Sequence, residues 1–107
     1  MHIKKLYSLE DKCAVVIGGA GKIGFPMAEA LAEAGAKVYI ASRSPDTFQP
    51  AVNKLRAQGL NVEGALLDQS NESNVIEVMA TISSKFKVPD ILINSGCSRP
   101  MKKFLHD

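Results

Sequence analysis

The sequence is poor in the residue types that mark several functional classes. It holds two cysteines and two histidines in 107 residues (Cys13, Cys97, His2 and His106), scattered without the spacing of a metal-ligand set. No disulfide is expected either. Cys13 should open the first strand and Cys97 should lie just past the fourth, at opposite edges of a parallel sheet. Such edges are roughly 16 Å apart, against the ~4.4–6.8 Å between the Cα atoms of a disulfide. Both are therefore expected to be buried or loop thiols. Neither sign of charge dominates: the formal net charge is +2 and there is no basic tract, which argues against nucleic acid as a partner. The apolar runs are too short to span a membrane, and the N-terminal lysines are not followed by an apolar signal core, so the expected location is cytoplasmic. Repeats, linkers and low-complexity segments are also lacking. What is present is an ordinary globular balance, 46% hydrophobic and 22% charged. At this length, residues 1–107 read as a single domain with a real core and room for one site.

The most informative stretch is Ile17-Gly18-Gly19-Ala20-Gly21-Lys22-Ile23-Gly24. It follows the apolar, strand-like Cys13-Ala14-Val15-Val16 and opens a helical pattern. Gly19, Gly21 and Gly24 form G-x-G-x-x-G. At this spacing one glycine makes a tight turn, one admits a pyrophosphate against the backbone, and one packs helix on strand. The free N–H groups and positive dipole end of the following helix face that turn. The nearest competitor is a Walker-type phosphate loop, because Gly21-Lys22 is a Gly-Lys pair. It fails at Ile23, where a magnesium-binding Ser or Thr is required, and at Val16, where its first glycine should stand.

Along the chain, strand and helix patterns alternate. Lys12–Ile17 reads as a strand and Lys22–Gly35 as a helix with Ile23, Met27, Leu31 and Ala34 on its buried face. Lys37–Ala41 is a second strand. Pro45–Gln58 is a second helix, burying Phe48, Ala51, Val52 and Leu55 and ended by Gly59. A third strand spans Asn61–Leu67, and a third helix spans Asn71–Phe86, capped by Asn71 or Ser70, with Val75, Met79, Ile82 and Phe86 inward. Asp90–Asn94 is a fourth strand whose unbroken apolar run suits a sheet covered on both faces. Right-handed crossovers then predict an α/β, Rossmann-like parallel sheet of four strands in the order 3-2-1-4 with three helices, a truncated doubly wound fold. In that order the glycine turn, Ser42-Arg43, Asp68 and Asn94-Ser95-Gly96 converge at the carboxyl ends of the strands.

These motifs, in this order, resemble the short-chain dehydrogenase/reductase family from Ser8-Leu9-Glu10-Asp11-Lys12 to Arg99-Pro100-Met101. The family's turn is Thr-Gly-x-x-x-Gly-Ile-Gly. Here Gly18, Ile23 and Gly24 are kept, Ile17 replaces Thr and Lys22 replaces Gly, while Gly21 restores the G-x-x-G-x-x-G spacing of the family's extended branch. Leu31-Ala32-Glu33-Ala34-Gly35-Ala36 looks like the family's helix end. Leu67-Asp68 is similar to the family's Asp after strand three, and the resemblance implies that Asp68 borders an adenine. From the residue alone, Asp68 could equally be a solvated side chain near the third helix's cap. Asp90-Ile91-Leu92-Ile93-Asn94-Ser95-Gly96-Cys97 resembles Asp-x-Leu-Val-Asn-Asn-Ala-Gly, departing at Ser95, Gly96 and Cys97. The match implies that Asn94 steadies the central strands and that Asn94 and Gly96 contribute to cofactor binding along the ribose.

Cofactor choice is set where the second strand ends, since an acid there accepts from a free ribose 2′-hydroxyl and repels a 2′-phosphate. Here Ala41-Ser42-Arg43-Ser44 carries no acid before Asp46, and a guanidinium with two hydroxyls suits a phosphate. The expected cofactor is NADP rather than NAD, with Lys22 either adding charge at the mouth of the site or standing as an exposed first-turn lysine. The family's catalytic Ser, Tyr-x-x-x-Lys pair and helical Asn have no counterpart in these residues. Tyr7 is followed four residues later by Asp11 and Tyr39 by Arg43, and Tyr39 reads as a core or sheet-face tyrosine. Two functions of different class follow. One is the N-terminal portion of an NADP-linked carbonyl/alcohol oxidoreductase, catalytically incomplete as given; the other is a stand-alone nucleotide-binding or interaction module. A fourth strand left as an apolar edge predicts self-association, as a symmetric dimer.

Overall fold

The computed structural model describes residues 8–18 and 21–95. Within them lie β1 (Cys13–Ile17), α1 (Gly24–Glu33), β2 (Lys37–Ser42), α2 (Pro45–Ala57), β3 (Val62–Leu66), α3 (Glu72–Lys85) and β4 (Ile91–Asn94). The strands form one parallel sheet in the order β3-β2-β1-β4, as the alternation predicts. Every residue of β1 is buried, because both faces of this central strand are covered.

Alternation along the strands builds two cores. Ala14, Val16, Val38 and Ile40 face α1 and α2, meeting Ala28, Ala32, Val52 and Leu55. Cys13, Val15, Ile17, Tyr39 and Ala41 face the other way, toward Ile82 and the half-buried Val75 and Met79 of α3. Cys13 is a buried free thiol, as expected for the first strand; Cys97 lies outside the described residues.

The α1 face departs from expectation. The helix begins at Gly24 rather than Lys22, and its buried residues are Gly24, Ala28 and Ala32. Ile23 and Met27, expected to be inward, are exposed, while Leu31 packs at the edge of the core. The helix turns its small side chains to the sheet, where they let the backbone approach closely, and periodicity read by residue size selects the wrong stripe. Pro26 sits in the first turn, where its missing N–H costs no intrahelical bond.

The α2 stripe is the expected one: Phe48, Ala51, Val52 and Leu55 are its buried residues. Ser44 caps this helix by accepting from the Asp46 N–H at 3.2 Å, with Pro45 in the first turn. Asn71 caps α3, accepting from the Asn74 N–H at 3.1 Å. Of the expected α3 stripe only Ile82 is fully buried, and Phe86 is exposed. Phe86 falls at the C-cap, past the last helical turn, where the 3.6-residue repeat no longer controls direction.

At the opposite end of the sheet from the glycine turn, polar contacts tie the strands together. The Cys13 N–H donates to Asp90 Oδ2 at 2.9 Å, and Lys87 Nζ lies 3.2 Å from the same oxygen. On the β2–β3 side Lys37 Nζ pairs with Glu63 at 2.6 Å and lies 5.4 Å from the centre of the Tyr39 ring.

Candidate functional site

Register decides which residues meet. Ile17 stands opposite Ala41 of β2 and Asn94 of β4, and Ala41 stands opposite Ala65 of β3. The segments leaving these strands, at Gly18, Ser42-Arg43, Asp68 and Ser95, therefore share one edge of the sheet. A crevice beyond the carboxyl ends, where the crossovers diverge on either side of β1, is the ligand position in open parallel sheets.

The glycine turn is built on Gly18, whose φ of +81° is the left-handed conformation that favours glycine. The Gly18 N–H continues the sheet by donating to the Ala41 carbonyl at 2.9 Å. Its carbonyl accepts from the Gly21 N–H at 3.1 Å and from Ser95 Oγ at 3.2 Å. Gly19 lies outside the described residues. Gly21, Lys22 and Ile23 are exposed, and no side chain caps α1 at Ile23, leaving the dipole end of this helix toward the turn. Gly24 is the packing glycine. A Cβ on it would stand 2.2 Å from the Gly18 carbonyl oxygen and 2.4 Å from Ser95 Oγ.

At the β2 end, the half-buried Ser42 hydroxyl donates to the Ser44 carbonyl at 3.0 Å, which leaves it acceptor capacity only. Arg43 is exposed. Asp68 Oδ1 accepts from the Ser70 hydroxyl at 2.6 Å and the Ser70 N–H at 3.0 Å. These bonds, with the positive charge of Arg43 nearby, hold the Asp68 carboxyl below its usual range. Asp68 does not cap α3, since Asn71 does. Asn94, at the end of β4, donates its amide Nδ2 to Gln69 Oε1 at 2.6 Å. Gly96 lies outside the described residues.

A cavity of about 430 Å³ opens between the turn and α2, lined among others by Gly21, Lys22, Phe25, Thr47 and Lys54. Lys54 Nζ lies 5.3 Å from the centre of the Phe25 ring. Sequence reasoning singled out neither Lys54 nor Thr47, because α2 carries no motif and only the packing of α1 and α2 on the same face of the sheet brings them to the turn. It also left Ser95 as a departure from a family pattern, without a role.

Among the described residues no cluster of three or more His, Cys, Asp or Glu side chains could hold a metal. Tyr39 is 3% exposed, and burial, followed by the negative charge of Glu63, pushes its phenol up from the ordinary range. It is a sheet-face tyrosine, as expected, and not an exposed acid. No helix among the described residues is long and apolar enough to cross a membrane.

Comparison with known proteins agrees with this geometry. The family model described as short chain dehydrogenase matches residues 12–106. A tropinone reductase homologue of Datura stramonium is 34% identical over 96 residues, covering 88% of this chain and 36% of the relative. Among solved structures, 2-keto-3-deoxy-D-gluconate dehydrogenase from Streptococcus agalactiae superposes with a TM-score of 0.82 at 29% identity, over 91% of this chain and 36% of that one. A gluconate 5-dehydrogenase from Burkholderia cenocepacia, solved in complex with NADP and tartrate, gives a TM-score of 0.77 at 25% identity, over 85% and 36% respectively. The chain thus spans about a third of the length of the curated relatives it matches. A parallel sheet in this strand order, a glycine turn leading into α1, and a family match over nearly the whole sequence meet in one conclusion: the chain belongs to the short chain dehydrogenase family.

Proposed function

We propose that this chain is the cofactor-binding portion of an NADP-dependent oxidoreductase that moves hydride between a carbonyl and an alcohol. The observation that carries the NADP preference is the end of β2, where Ser42 and the exposed Arg43 stand in place of an acidic residue. A guanidinium presents forked, charged donors to a phosphate, whereas an acid at this place would repel it. Lys22 and Lys54 line the adjoining cavity and add positive charge beside the glycine turn. The Burkholderia relative, solved with NADP, supports the same choice.

In this reading Gly18, Gly19, Gly21, Lys22, Ile23 and Gly24 form the diphosphate cradle. Arg43 receives the 2′-phosphate beside Ser42, whose hydroxyl donates to the Ser44 carbonyl and would have to turn from it to donate to the phosphate; Asp68 borders the adenine, and Asn94 and Gly96 lie along the ribose. Gly19 and Gly96 enter on their motifs alone. The bound nicotinamide supplies the hydride chemistry; the residues here bind and orient the cofactor, and no proton-transferring group is assigned to this chain. The same reading takes residues 1–107 as one domain working in the cytoplasm, with the dinucleotide as its ligand.

The test is calorimetric titration of the chain with NADP and with NAD. Tighter binding of NADP is expected, and Arg43→Asp should reverse the order. Equal affinities for the two cofactors in the unsubstituted chain would refute the preference. A nucleotide-binding module without catalysis is the second reading. It is favoured by the burial of Tyr39, the tyrosine of the described residues, and by the lack of a Tyr-x-x-x-Lys pair in the 107 residues.

A further inference from the structure

We propose that Ser95 is a positioning residue for the glycine turn: its hydroxyl clamps the turn to the end of β4 and so pre-forms the diphosphate cradle. This rests on the dinucleotide-binding reading above. Ser95 lies one residue past β4, and its N–H extends the β1–β4 ladder by donating to the Ile17 carbonyl at 2.9 Å. Its Oγ lies 3.2 Å from the Ile17 carbonyl oxygen and 3.2 Å from the Gly18 carbonyl oxygen. A hydroxyl has one proton, so that proton is shared between the two carbonyls.

The consequence lies at Gly18. Its carbonyl is held by the Ser95 hydroxyl and by the Gly21 N–H at 3.1 Å. An anion cradle made of backbone works by offering N–H groups, and a carbonyl swung toward the phosphate would repel it. With two donors on its oxygen, the Gly18 carbonyl is tethered to the protein. The third wall of the clamp is Gly24, whose missing side chain leaves room for Ser95 Oγ and the Gly18 oxygen together. The glycine at 24 and the serine at 95 are thus parts of one device, 71 positions apart in sequence. A Gly18 carbonyl and a Gly21 amide fixed before the ligand arrives lose less conformational freedom on binding, and affinity gains accordingly.

The experiment compares the full chain with Ser95→Ala and Ser95→Thr, reading NADP affinity by calorimetry and amide exchange of Gly21 by NMR without ligand. Ser95→Ala should weaken NADP binding about fivefold to tenfold, the equivalent of one modest hydrogen bond. It should also accelerate Gly21 exchange while the β1 and β4 amides keep their protection. Ser95→Thr, which retains the hydroxyl, should restore both. Unchanged Gly21 exchange in Ser95→Ala overturns the clamp; faster exchange with unaltered affinity overturns its link to binding. Accelerated exchange throughout β1 and β4, unrescued by Thr, would make Ser95 merely a structural residue and also overturn the proposal. If the unsubstituted chain binds no dinucleotide, the functional reading fails, and Gly21 exchange still decides whether the clamp exists. Should Ser95→Ala not fold, Ser95→Cys, which keeps the volume with a weak donor, carries the same expectation.

Discussion

Gly21→Ala and Gly24→Ala look alike in a motif and should behave very differently in the folded chain. A Cβ at Gly21 would meet its nearest neighbour, the Gly18 carbonyl oxygen, at 3.4 Å, an ordinary contact. At Gly24 the same atom would sit 2.2 Å from that oxygen and 2.4 Å from Ser95 Oγ. These two neighbours are a main-chain carbonyl and a side chain bonded to two carbonyls, so relief requires α1 to move off the turn by about 1 Å. Overpacking of this kind costs about 1–3 kcal/mol. Loss of the Ser95 bonds adds ~1 kcal/mol. The better helix propensity of alanine returns less than ~1 kcal/mol at the first helical residue. The balance is about 2–3 kcal/mol of destabilisation, or a Tm lowered by roughly 10–20 °C in a domain of this size. Gly21→Ala should cost under ~1 kcal/mol. Urea and thermal unfolding followed by circular dichroism measure both. If Gly24→Ala unfolds within about 0.5 kcal/mol of the parent, the close approach of α1 to the turn is wrong.

Stability should also be lost in acid. Glu63 is held below its usual range by Lys37, Asp68 by Ser70 and Asp90 by the Cys13 N–H. Groups with folded values below their unfolded ones stabilise above the unfolded pKa and lose that contribution as pH falls through the folded one. The urea midpoint should therefore hold near neutrality and decline below pH ~4, with a shallower decline in Glu63→Gln. A midpoint that is flat down to pH ~2 would refute this. The 107-residue chain alone should not oxidise NADPH with a panel of ketones, and turnover abolished by a substitution within it would contradict that expectation. Sedimentation equilibrium should show a dimer, because β4 is an edge strand of the described sheet and Leu92 on it is exposed; a single monomeric mass at high micromolar concentration would count against it.

The order of elements, the parallel sheet and the place of the glycine turn were legible in the sequence. Those depend on local signals: apolar runs in β1 and β4, the Asn71 cap, and glycines at a spacing that few other structures need. Strand order followed because crossover handedness leaves few ways to connect such elements. The stripe of α2 was equally legible, since its large apolar residues are the buried ones. The stripe of α1 was not. A helix held close to a sheet buries what fits, and Ala28 and Ala32 fit where Met27 does not. Only the tertiary structure joined Ser95 to Gly18 and Gly24, or set Lys54 beside the turn, because those contacts arise from strand register and helix docking between segments far apart in sequence. Local chemistry chooses the elements; which side chains meet at the carboxyl ends of the strands is settled when the sheet is assembled and the helices are packed on it.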